Sequence, residues 1–195
     1  MKAYAEIVES SLHLWKAQMW QWDQAPPFGS IVTIEQHDCQ LMGIVTYIET
    51  GTVDGKRAPF VYQKTEQELK KEQPHIFTFL NTTISCLPLG FIKQNEPWHQ
   101  IPSQPPKIHA FVSPATPAQL NLFFAQTTYL AILFQAVSSQ TPIDELILAL
   151  TAQLKPYNVF TPDYTERFID MFCLLCGNDY RRLKLFLHRF QLHCL

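Results

Sequence analysis

Between Gly29 and Tyr62 apolar and polar residues alternate over two runs, Ile31 to Glu35 and Leu41 to Glu49, separated by the polar stretch Gln36 to Gln40. A period of two places alternate side chains on opposite faces of an extended chain, so this stretch predicts a pair of antiparallel strands and excludes an amphipathic helix. Strands of this length cannot be stable as an isolated pair. They commit the first half of the chain to a small β-barrel or sandwich.

The neighbouring sequence supplies further strands. Tyr4 to Glu9 alternates, Ser10-Ser11 reads as a turn, and Leu12 to Trp20 returns with Trp15, Ala17 and Met19 on one face and Leu12 and Leu14 on the other. Pro26, Pro27 and Gly29 make a link, and a strand is expected only after it because proline cannot donate to a ladder. Thr65 to Glu68 (TEQE) is a capping box, predicting a short helix to about Glu72 and a second turn opened by Pro74, with Ile76, Phe77 and Leu80 on its inner side. Thr82 to Lys93 reads as the last strand, and Pro88 within it implies an edge or a bulge.

Asn95 to Pro117 holds six prolines, so residues 95–116 are expected to be an extended strap between two differently composed halves. Beyond it the period changes to three and four. Thr116-Pro117, Thr141-Pro142 and Thr161-Pro162 each place an N-cap hydroxyl before a proline at the first helical position. One helix is expected to bury Leu120, Phe123, Phe124, Leu130, Leu133, Phe134 and Val137, a second Ile143, Leu146, Ile147, Leu150 and Leu154, and a third Phe168, Ile169, Phe172 and Leu175. Gly177 closes the third, Asp179 caps a fourth, and short connections predict an antiparallel four-helix bundle over 117–195. The expected fold class is α+β: an N-terminal antiparallel β-barrel over 1–94, with a helical insert at about 65–81, followed by a helical bundle.

Charge limits the partners. The 195 residues carry a net charge of -2, with a pI near 6.4, so a nucleic-acid binder would need a locally concentrated basic face. The N-terminus lacks the apolar run and small-residue cleavage site of a secretory signal, and the uncharged stretch Leu120 to Val137 is too polar for a membrane span. Five cysteines, an odd number, fit free thiols in a reducing cytoplasm.

The order AEIVESS, PPFGSIVTIE and LMGIVTYIE resembles the HAS-barrel, the small N-terminal barrel shared by HerA-type ring translocases and the large subunits of rotary ATP synthases. The resemblance rests on the Ser10-Ser11 turn, the glycine-led strand from Gly29 to Glu35 and the Gly43-Ile44 step, and covers roughly residues 3–93. The whole chain is similar to stand-alone HAS-barrel proteins of photosynthetic bacteria. In ring ATPases this barrel makes subunit contacts and holds no catalytic residue, so the resemblance implies assembly, with ring-ATPase subunits or a second copy as partner.

Motifs for chemistry are weak. The loop Thr50 to Pro59 has three residues between Gly51 and Gly55, and Lys56 is followed by Arg57, so it fails the P-loop pattern. Asp54, Lys56 and Arg57 are instead contact candidates. Arg181 and Arg182 join them on the last helix, where Lys184 and Arg189 add to a basic face set against Asp179. No G-x-S-x-G elbow occurs, and His13, His37, His75, His99 and His109 are dispersed. Cys173 and Cys176 form a C-x-x-C with His188, His193 and Cys194 downstream, a possible zinc or thiol-redox set. Their place near a helix C-terminus, among Phe172, Leu174 and Leu175, favours packing thiols, and no cofactor is expected. The leading expectation is a non-enzymatic interaction or assembly protein. A nucleic-acid-binding barrel and a zinc or thiol protein are the alternatives.

Overall fold

The computed structural model describes residues 2–52, 60–136 and 142–194, with side chains to residue 192. Asp54, Lys56, Arg57, Val137 and Thr141 lie outside the described residues, as do the side chains of His193 and Cys194.

Strands β1 (Ala5–Ser10), β2 (Trp15–Met19), β3 (Ile31–Gln36), β4 (Cys39–Thr52), β5 (Leu80–Lys93), β6 (Glu96–Trp98) and β7 (Phe111–Pro114) form one antiparallel sheet. Its order is β2-β1-β7-β3-β4-β5-β6, and β2 also pairs with β5. Six strands therefore close into a barrel, and β6 extends outward from β5. Closure removes the exposed edges that a sheet of this size would otherwise present.

The expected faces are present. Trp15, Ala17 and Met19 are buried in the barrel with Ile7, Val32, Ile34, Leu41 and Val45, while Leu12 and Leu14 are exposed. Trp15 fills the interior beside Gly43, where any Cβ would stand 2.3 Å from its ring. Strand β3 departs from strict alternation: Ile31, Val32, Thr33 and Ile34 are all buried. The reason is a second layer. Ile31, Met42, Ile44, Leu89 and Ile92 point out of the barrel into a core shared with the helices, and a strand covered on both faces reads as a continuous apolar run.

Two ladder irregularities shape the barrel. Met42 faces Gly90 while Gly43 faces Pro88, so β5 carries an extra residue there; Val45 and Tyr47 face Cys86 and Ser85, leaving Thr46 extra on β4. Pro88 thus sits at a bulge, where its missing donor is tolerated.

The strap contributes structure that the proline count concealed. Two of its segments are β6 and β7, and β7 lies between β1 and β3, pairing Val112 with Ala5 and with Ile34. The barrel closes only through residues beyond the boundary drawn at 94. The insert is formed as expected, with α1 (Glu66–Glu72) begun by the reciprocal Thr65–Glu68 capping box and followed by a 3-10 turn at Pro74–Phe79. Neither buries a residue fully. Phe77 stacks on Trp22 at 5.7 Å between ring centres.

Five helices follow among the described residues: α2 (Pro117–Phe123), α3 (Tyr129–Gln135), α4 (Ile143–Leu154), α5 (Pro162–Cys176) and α6 (Tyr180–Cys194), with a 3-10 turn at Lys155–Tyr157. The single helix expected from Pro117 is broken after Phe123. In an unbroken helix Phe124 and Tyr129 would point roughly 140° apart at 3.6 residues per turn. The break lets both rings be buried and meet edge to face at 4.8 Å. Caps follow the sequence at Thr116 and Thr161, whose hydroxyls accept from Gln119 N–H and Tyr164 N–H, and at Asp179, which accepts from Arg182 N–H. At α4 the start is one residue later than expected, with Pro142 flanking the helix rather than opening it. The helices do not form a self-contained bundle. Phe123, Leu130, Leu150, Phe168 and Phe190 belong to one core with the outward-facing residues of β3, β4 and β5.

Candidate functional site

The residues singled out in the sequence separate into engaged and exposed groups. The Arg182 guanidinium donates from Nε to both carboxylate oxygens of Asp144, at 3.1 and 3.0 Å, and from Nη2 to Oδ1 at 2.7 Å. It also lies 5.2 Å from the centre of the Phe134 ring. Arg189 makes a second two-point contact, donating to Glu145 at 2.5 and 2.8 Å, which holds that carboxyl below its ordinary value. Asp144 and Glu145 occupy the first turn of α4, where a negative charge also favours the helix dipole. Half of the basic face on α6 is therefore a clamp between α4 and α6. Arg181 and Lys184 stand exposed.

Cys173 and Cys176 are half-buried free thiols in the last turn of α5. Burial raises the Cys176 thiol above its ordinary value, and nearby Arg182 offsets this only in part. A thiol held protonated is a poor nucleophile and a poor ligand. Among the described residues no group of three or more His, Cys, Asp or Glu side chains is arranged to hold a metal. Added chelator should leave the melting temperature within about 1 °C of the untreated protein, since only loss of a bound structural metal would lower it; a fall of several degrees in scanning fluorimetry would restore the zinc reading.

The most organised polar constellation is centred on a residue the sequence left undistinguished. His99 follows β6, and its Nε2 lies 2.8 Å from the Phe123 carbonyl oxygen while Nδ1 lies 2.5 Å from Thr128 Oγ1. A carbonyl only accepts, so Nε2 carries the proton and Nδ1 accepts from the threonine hydroxyl. One imidazole thus joins the end of α2 to the start of α3, packed edge to face on Phe123 and Tyr129. Burial pushes its pKa below the ordinary histidine value, against a smaller opposing pull from the Phe123 carbonyl.

The sign of the linkage follows. The unfolded chain takes up a proton near pH 6.5 and the folded one only at lower pH, so the stability present above about 6.5 is lost as pH falls towards the folded value. Wild type should therefore lose more stability than His99→Gln between pH 7 and 5. Denaturant midpoints measured across that range check this, and parallel profiles would contradict it.

His99 also borders a cleft of about 530 Å³ floored by Leu87, Pro88, Ile101 and Ile132, with His13, Gln100 and Gln135 at its edge. Elsewhere the barrel interior is filled by side chains, among them Cys86, whose fully enclosed thiol is pushed up to about 12.

The wall opposite the helices is made by β1, β2 and β7. There Trp20, 48% exposed, and Phe111, 59% exposed, meet edge to face at 5.4 Å. Aromatic residues in a sequence mark a core more often than an interface, and this pair emerges only from the fold, which sets the end of β2 and β7 on either side of β1. No family model matches the chain, and no curated protein matches it. No described helix is long and apolar enough to cross a membrane.

Proposed function

We propose that this protein is a non-enzymatic interaction or assembly module of the cytoplasm that docks on another protein through the uncovered wall of its barrel. The observation that carries this reading is the Trp20–Phe111 pair: two large rings, 48% and 59% exposed, that meet across β1 from the end of β2 and from β7. Such rigid aromatic surface is favoured at interfaces because it contributes contact area at small conformational cost. The opposite wall is occupied by the chain's own helices, and the filled interior supports surface recognition rather than enclosure of a ligand. The resemblance of the strands to the HAS-barrel makes a ring ATPase carrying the same kind of barrel the sharper choice of partner.

Affinity purification of the tagged protein from its native cell tests the proposal. The wild type is expected to recover a defined protein partner, with ring-ATPase subunits as the specific expectation, and the Trp20→Ala/Phe111→Ala variant is expected to lose it while keeping its circular dichroism. Equal recovery by the variant would remove this surface from consideration, and capture of nothing above background by folded wild type would count against the function itself. Single-stranded oligonucleotides at low salt should not bind; salt-sensitive binding would favour the nucleic-acid alternative.

A further inference from the structure

No further inference is drawn: the strongest candidate, the apolar cleft of about 530 Å³ between the β5 bulge and α3, ends at Ala136 beside residues outside the described part of the chain, and nothing in the structure shows what covers it.

Discussion

Gly90→Ala is expected to destabilise the protein by about 4 kcal/mol, combining the typical costs of overpacking and of a disfavoured backbone angle. A Cβ at this position would stand 2.1 Å from the Trp98 carbonyl oxygen and 3.2 Å from the His99 Cα, and both are backbone atoms, at the end of β6 and just after it, that have no rotamer to yield. The φ of +142° adds strain for any residue with a side chain. For a chain of this size the melting temperature should fall by roughly 8–16 °C. Gly51→Ala is the control, because a Cβ there meets nothing within 4 Å, and its effect should stay within about 0.5 kcal/mol. The displacement has a second readout. Moving β6 moves His99 away from Phe123 and Thr128, so whatever Gly90→Ala protein remains folded should also lose the extra loss of stability between pH 7 and 5. Thermal melts at two pH values check both, and a variant melting with wild type would show that β6 does not sit against Gly90.

Phe186→Ala should cost about 3–5 kcal/mol, the usual range for deleting a fully packed aromatic ring. Phe186 is 2% exposed and stacks on Phe172 at 3.9 Å and 16°. Phe168 and Phe190 stack beside them at 5.3 Å, so the cavity left would be walled by rings on two helices that cannot both close in. Leu185→Ala, one residue away and 59% exposed, should change stability by no more than about 0.5 kcal/mol. The shared core makes a further demand on this experiment. All four tryptophans lie at or before Trp98, so their fluorescence reports the barrel while far-ultraviolet circular dichroism is dominated by the helices. Because Ile31, Met42 and Leu89 belong to the same core as Phe168 and Phe190, the two signals should move together in Phe186→Ala as in wild type. Separate transitions would mean that the helices and barrel fold independently.

Much of the local structure was legible because it depends on neighbours in sequence. The period of two identified β1 to β4 and assigned Trp15, Ala17 and Met19 to one face. The capping box at Thr65 and the Thr-Pro start at Thr161 needed only residues three positions apart. What was illegible depends on residues brought together from afar. Strand β7 has a single fully buried residue, Val112, and lies between prolines, so no periodicity marks it; its identity comes from pairing with β1 and β3. The break between α2 and α3 was hidden by apolar residues that suit one long helix, and it is held by His99, which no local motif distinguishes. The basic face on α6 looked like a contact surface until α4 supplied Asp144 and Glu145 for two of its cations.

The sequence by itself determined the fold class, the order of barrel before helices, and the caps that begin most of the helices, because backbone period and capping chemistry act within a few residues. Tertiary structure alone decided that the strap closes the barrel, that the helices share its core, and that Trp20 and Phe111 face outward together. Those outcomes rest on strand register and on the burial of one surface by another, and neither is encoded in any short stretch of the chain.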